Sequence, residues 1–242
     1  MTERPVVHCI QHSERVRPQT VAEWAAERDV DLRVVRIDAG ERLPDPAEVE
    51  RLVVLGGGMN TDQADEHPWI DEERDWLRRV VDLGRADVLG ICLGSQLLAE
   101  ATGGTVGRAD VPEIGWQRIR LTDDGRDDRV FGALPAEFDA MQWHGDAWTL
   151  PPGARLLATS AGCEFQAFGI GDRVRAVQFH PEFTHARTTE LAATTTDDLT
   201  PRGHVQAPDE FLADPARFDA LRALCVTLLD RALLDRSPLV SS

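Results

Sequence analysis

The sequence predicts an α/β fold, a single doubly wound and mostly parallel sheet with antiparallel additions, on three observations. Short runs dense in Val, Ile and Leu recur through the first half of the chain, helical patterns lie between them, and after residue 115 the pattern shifts to short strands and turns. Strands joined in turn by helices make a parallel sheet covered on both faces. The chain has 242 residues, 42% of them hydrophobic, which suits one domain whose core needs no disulfide or metal to hold it.

The elements follow in order. Runs at 5–10, 31–37, 51–55 and 86–91 have the near-continuous apolar character of strands buried on both faces. Residues 21–28 read as a helix between the first two. Residues 67–84 carry Trp69, Ile70, Trp76, Leu77, Val80, Val81 and Leu83 at helical spacing, with Asp71, Glu72 and Glu73 early, Arg78 and Arg79 late and Gly84 as the stop. A helix over 94–102 ends at Gly103-Gly104. Strands are then expected at 116–121, 138–143, 155–159, 164–170 and 174–178, the last two joined by a hairpin turn at Gly171-Asp172. A weaker helix is expected over 181–193 and a polar loop over 194–209. A helical extension closes the chain over about 200–242, with Asp214-Pro215 as cap and first turn. The acidic runs 62–66 and 123–128 read as solvated loops.

Composition excludes several functions. Asp plus Glu number 42 against 26 basic residues, for a net charge of −16, and every basic residue is Arg, scattered along the chain. That balance repels phosphate backbones and anionic lipid, so neither nucleic acid nor membrane is an expected partner. With no Lys and no Tyr, lysine Schiff bases, a phosphate-loop lysine and tyrosine acids are ruled out. The first residues lack a signal-like apolar core and no apolar run is long enough to span a bilayer, so a cytoplasmic location is expected. Cys9, Cys92, Cys163 and Cys225 show no CxxC spacing, and at most one should be chemical. His8-Cys9-x-x-His12 has no third ligand in sequence reach, and no metal is expected.

The chemistry concentrates at three strand ends. Gly90-x-Cys92-x-Gly94 lies where a strand runs directly into a helix, the pattern of a nucleophile elbow: glycines leave room for a sharp turn that pushes the central side chain out of the sheet. At a helix N-terminus the thiolate is favoured over the thiol. His180-Pro181-Glu182 ends another strand, and its i, i+2 spacing lets the carboxylate fix the imidazole tautomer that faces Cys92. Such a pair implies activity that falls at low pH as His180 protonates and the thiolate is lost. Gly56-Gly57-Gly58 ends a third strand, where the N–H of Gly58 together with that of Leu93 suits an oxyanion hole. One such donor is worth about 3–4 kcal/mol in a protease.

Gly90-Ile91-Cys92-Leu93-Gly94-Ser95-Gln96, His180-Pro181-Glu182 and the glycine strand end together resemble the class I glutamine amidotransferases, over roughly residues 51–184. The resemblance implies a flavodoxin-like sheet, a Cys92–His180–Glu182 triad and a γ-glutamyl thioester on Cys92, with ammonia released from glutamine before water frees glutamate. It implies no cofactor. Gln96 and the segment Trp143-His144-Gly145-Asp146 resemble the parts that hold glutamine, the latter as in the amidotransferase part of GMP synthase, with backbone contacts from Gly145 expected and His144 expected as a hydrogen-bonded loop residue. Glu113-Ile114-Gly115-Trp116 resembles a segment of free-standing relatives. Three readings stay open: a glutaminase feeding a separate ATP-dependent synthetase, a free-standing γ-glutamyl hydrolase or peptidase, and a catalytically silent regulatory or binding module.

Overall fold

The computed structural model describes residues 4–195, 197 and 199–235. In chain order its first half is β1 (Val6–Gln11), α1 (Thr20–Glu27), β2 (Asp31–Arg36), β3 (Arg51–Val54), α2 (Trp69–Leu83), β4 (Asp87–Ile91) and α3 (Leu93–Ala101). The second half is β5 (Val106–Leu121), α4 (Asp123–Asp127), β6 (Glu137–Trp148), β7 (Arg155–Thr159), β8 (Ala167–Ile170), β9 (Val174–Val177), α5 (His185–Thr194), β10 (His204–Val205), α6 (Pro208–Phe211) and α7 (Ala216–Leu229).

Among the described residues ten strands make one sheet, in the order β10-β5-β7-β8-β9-β4-β3-β1-β2, with β6 paired to β5. The pairs β1–β2, β1–β3, β3–β4 and β4–β9 are parallel, whereas β5–β7, β7–β8 and β8–β9 are antiparallel. This is the expected fold class, and the turn at Gly171 sits where the sequence placed it, with φ at +51°.

Successive side chains of a strand point to opposite faces, and β3 shows how this divides the core. Val53 joins a cluster with Val21 and Trp24 of α1 and Phe218 and Leu221 of α7, while Leu52 and Val54 join a second cluster with Ile70, Leu77 and Leu97 of α2 and α3. Each such side chain, once buried, contributes about 1.5–3 kcal/mol. Two helical layers therefore clamp the strands whose ends carry the chemistry. Gly84 at +62° ends α2 as expected, because only a residue without a Cβ adopts that left-handed turn cheaply.

Several boundaries differ from expectation. Residues 107–113 and 144–148, read as outside strands, extend β5 and β6 into a long antiparallel ribbon with an irregular register between Arg108 and Glu113. The start of β5 is largely solvated, and buried positions further along the ribbon are held by the polar Glu113, His144 and Asp146, so it carries little apolar alternation. The helix expected from Pro181 begins at His185 instead, capped by the Thr184 hydroxyl, which accepts from the Arg187 N–H. The polar stretch 194–209 contains β10 and the start of α6. The acidic run 123–128 is not a loop: it forms α4, and Asp128 is fully buried between Arg175 and Arg155. The end of the expected C-terminal extension, 236–242, lies outside the described residues.

Candidate active site

Cys92 follows β4 directly and opens α3. Its backbone sits at φ 49°, ψ −110°, a region that favours glycine and costs a larger residue on the order of 1–3 kcal/mol. The turn is clamped on all sides. Cys92 N–H donates to Val177 O at 2.8 Å, Gly94 N–H donates to Leu55 O at 3.1 Å, and the Ser95 hydroxyl donates to Cys92 O at 2.7 Å. A Cβ on Gly94 would meet the Val54 carbonyl, and one on Gly90 would come within 2.8 Å of the Gly94 carbonyl oxygen. Both glycines of the elbow are thus required by space, as the motif reading expects.

His180 follows β9, and β9 lies beside β4 with Ile91 opposite Val177. Its N–H donates to Met141 O at 2.8 Å, its ring stacks on Phe183 with centroids 4.1 Å apart, and its Nδ1 lies 2.8 Å from Glu182 Oε1. Burial opposes charge on this imidazole. The charges of Glu182 and Cys92 and their hydrogen bonds to the ring outweigh burial and push the pKa up to about 10. These partners favour the protonated ring.

Glu182 is buried, and its carbonyl accepts from the Thr20 hydroxyl at 3.0 Å, which ties the acid's loop to the start of α1. The preceding residue, Gln19, accepts at its side-chain oxygen from Thr184 N–H at 3.1 Å.

The glycine strand end follows β3, which pairs with β4 on the other side from β9, so the three motifs meet at adjacent carboxyl ends, where open α/β sheets place their sites. The glycines divide their tasks. A Cβ on Gly56 would stand 2.8 Å from Cε1 of His180, and one on Gly57 would meet the Leu93 side chain, whereas Gly58 has open space around it. Close packing thus explains Gly56 and Gly57, and Gly58 faces the open cleft.

That cleft, about 450 Å³, is lined by Gly58, Cys92, Gln96, Trp143 and Gly145 and opens outward past Arg108. Cys92 Sγ lies 4.0 Å from Trp143 O and 3.7 Å from Gln178 Nε2. Gln96 Nε2 reaches Asp146 O at 3.3 Å and Gln178 Oε1 at 3.4 Å. The Trp143 indole donates to Asp197 at 2.7 Å, and Asp146 pairs with Arg108 at 3.3 Å. His144 lies in β6 rather than in a loop, its Nε2 3.1 Å from Glu113 and its Nδ1 3.0 Å from Asp146 O, and Glu113 also accepts from Ser160 and Gln166.

The motif reading missed two groups. Gln178 precedes the His-Pro-Glu motif and its side chain touches the thiol. His12 and Glu73 form a fully buried pair at 2.9 Å beneath the glycine strand end, with His12 Nδ1 3.0 Å from Gly56 O. Glu73, grouped by its position with the first-turn acids of α2, is instead the partner of a histidine in the core. His8 stays apart from that pair, and among the described residues no group of three or more His, Cys, Asp or Glu stands in position to share a metal ion. No helix among them is long and apolar enough to cross a membrane.

Comparison with known proteins gives a consistent answer. A family model described as glutamine amidotransferase class-I matches residues 18–195. The chain is 35% identical over 182 residues to the glutamine amidotransferase-like protein YfeJ of Salmonella typhimurium, covering 74% of this chain and 76% of that one. It is 34% identical over 177 residues to one subunit of the glutamine-hydrolyzing GMP synthase of Thermoplasma acidophilum, covering 69% of this chain and 80% of that one. A crystal structure of a glutamine amido transferase from Methylobacillus flagellatus superposes with a TM-score of 0.88 at 26% identity, covering 99% of this chain and all of that one.

Proposed function

The chain belongs to the class I glutamine amidotransferase family, and from that premise we propose that it releases ammonia from glutamine through a γ-glutamyl thioester on Cys92. The observation that carries the reading is the Cys92–His180–Glu182 arrangement on two neighbouring strands, with the nucleophile on a positive-φ elbow and the imidazolium fixed by a buried carboxylate. The Cys92 thiolate attacks the side-chain amide carbon and an S–C bond forms. Gly58 and Leu93 N–H groups hold the oxyanion that develops on the amide oxygen. His180 gives its proton to the departing nitrogen, the C–N bond breaks and ammonia leaves. Water, losing a proton to His180, then attacks the thioester, and glutamate leaves with the thiolate restored. Glu182 keeps the ring oriented throughout. Gln96, Trp143, Gly145 and Asp146, around the thiol, hold the amino-acid end of the substrate, and no step calls for a cofactor.

A separate ATP-dependent synthetase as the consumer of the ammonia is supported by the likeness to a protein named as one subunit of GMP synthase. A second reading, hydrolysis of a larger γ-glutamyl compound, is supported by the cleft, which continues past the thiol to Arg108 and falls within the range that holds drug-sized ligands. Steady-state assay of the purified chain on glutamine and on γ-glutamyl dipeptides separates them. Turnover of glutamine that rises on addition of an ATP-dependent partner supports the first. Efficient dipeptide cleavage with poor glutaminase activity overturns it in favour of the second, and inactivity on both under all conditions would leave the silent module.

A further inference from the structure

The buried pair beneath the glycine strand end has no part in the chemistry just described, yet it is built with care. His12, at the end of β1, is fully buried, and both its nitrogens face acceptors: Nδ1 lies 3.0 Å from the Gly56 carbonyl, and Nε2 lies 2.9 and 3.1 Å from the two Glu73 oxygens. A ring that donates in both directions carries two protons and is an imidazolium. Its face stacks on Trp69 with centroids 5.4 Å apart and planes 17° from parallel, an arrangement that favours a cation. Burial, the largest single influence, works against the charge. The charge of Glu73, its hydrogen bond, the Gly56 carbonyl and the more distant Asp38 together overcome it and raise the pKa of His12.

What this cation holds is the peptide between Gly56 and Gly57. Gly56 is packed against His180 and Cys92, and Gly57 against Leu93 and the stem of His12 itself. A trans peptide puts its C=O and the following N–H on opposite edges. Fixing the Gly56 carbonyl on His12 therefore fixes which way the Gly57 N–H points and how Gly58 leaves the strand. Glycines have little preference of their own among these orientations. Something outside them has to choose, and a charge-assisted hydrogen bond from the core is suited to do so.

We propose that the His12–Glu73 pair is the positioning device of the reaction centre, a buried imidazolium–carboxylate that locks the Gly56–Gly57 peptide so that the oxyanion donors stand ready without help from a partner. The proposal rests on the thioester reading above and adds residues that the triad does not contain. It makes the strand end a preset part of the fold.

Two measurements test it on the full chain. Nitrogen-15 NMR of the histidine side chains, with His12→Gln for assignment, should find the His12 ring doubly protonated from pH 6 to 8. A ring carrying one proton over that range would overturn the proposal, whatever the enzyme does. The second uses the double variant His12→Phe/Glu73→Leu, because exchanging a buried ion pair for apolar residues of similar volume is often neutral for folding. With glutamine as substrate, kcat should fall roughly 10- to 100-fold while KM and the rate of Cys92 alkylation by iodoacetamide stay within about threefold. Undiminished kcat in the folded double variant, or alkylation falling in step with kcat, would overturn it. If the unaltered chain turned over no γ-glutamyl compound, the thioester reading would fail while the NMR result still decided the state of the pair.

Discussion

Gln19 and Cys92 share one backbone conformation, φ 45°, ψ −118° in the first and φ 49°, ψ −110° in the second, and each stands immediately before a helix. One carries the thiol proposed as nucleophile. The other, through its own side chain and that of Thr20 beside it, grips the loop that carries Glu182. Of the three non-glycine residues with positive φ among the described residues, two thus lie around the candidate site.

All four cysteines are buried, and the proposed nucleophile is set apart by its place in the lining of the cleft. Cys9, Cys163 and Cys225 are thiols whose pKa values burial pushes up, to about 11 for Cys163. A diazo-ketone analogue of glutamine should label Cys92 alone, read by peptide mass spectrometry, and Cys92→Ala should abolish turnover while its circular dichroism spectrum stays that of the unaltered chain. Label spread over several cysteines would remove Cys92 from its role.

Glu182→Gln should lower kcat by roughly 10²- to 10⁴-fold, since the ring loses the charge that fixes its orientation. The pH profile should shift with it. With His180 pushed up to about 10, the activity that depends on its proton is lost on the alkaline side, with a midpoint near pH 10. Removing the Glu182 charge should move that limb downward. The sign carries over to stability: a raised folded-state pKa gives a contribution complete below about 6.5 that is lost as pH rises toward 10. A profile without an alkaline limb, or one unmoved in Glu182→Gln, would contradict this.

The glycine strand end offers a contrast within three residues. Gly56→Ala sets a methyl 2.8 Å from Cε1 of an imidazole already held by Glu182 and Phe183, so the ring has to move. A displacement of about 1 Å at a reacting group costs roughly 10²-fold. Gly58→Ala meets nothing within 4 Å and keeps its N–H, so its stability should match the unaltered chain and its effect should fall on KM. Equal kcat losses in the two variants would refute the division of tasks.

Asp128 supplies the stability prediction. Its carboxylate pairs with the buried Arg175 at 2.6 Å and with Arg155 at 3.0 Å, and it accepts from the N–H groups of Val130 and Phe131. Burial acts to raise its pKa, but the hydrogen bond and charge of Arg175 outweigh that and hold it below the usual carboxylate range. Asp128→Asn, leaving Arg175 uncompensated, should cost about 3–5 kcal/mol in urea unfolding at pH 7. In the unaltered chain this contribution is present above about pH 4 and lost as pH falls through the lowered pKa.

The residues whose meaning is local were legible in the sequence. Cys92 announces itself by flanking glycines and His180 by Pro181 and Glu182, because the strand-to-helix turn and the i, i+2 pair are formed within a few residues. Three of the four parallel strand runs were legible for a similar reason, since burial on both faces leaves little but Val, Ile and Leu, whereas β2, read the same way, is an edge strand with no buried residue. His12, Glu73 and Gln19 were not. Their partners lie across the sheet, and nothing beside a histidine at a strand end says which helix will bring it a carboxylate. Asp128 was hidden by its acidic neighbours, which are solvated while it is not. The outer ribbon of β5 and β6 lacked the apolar alternation that marks a strand because its buried positions include the polar Glu113, His144 and Asp146.

The placement of the three motifs at the ends of β3, β4 and β9, side by side in the interior of the sheet, bears on how the protein ages under heat. The amide of Cys92 is bonded into β9 and that of Gly94 to the end of β3, so neither can exchange its hydrogen unless neighbouring strands part. Opening there requires the most cooperative unit of the molecule to come apart. No peripheral fraying reaches it. Warming should therefore reveal no interval in which the chain remains folded but inert, and the fraction of surviving catalyst at any temperature should report the fraction of native molecules.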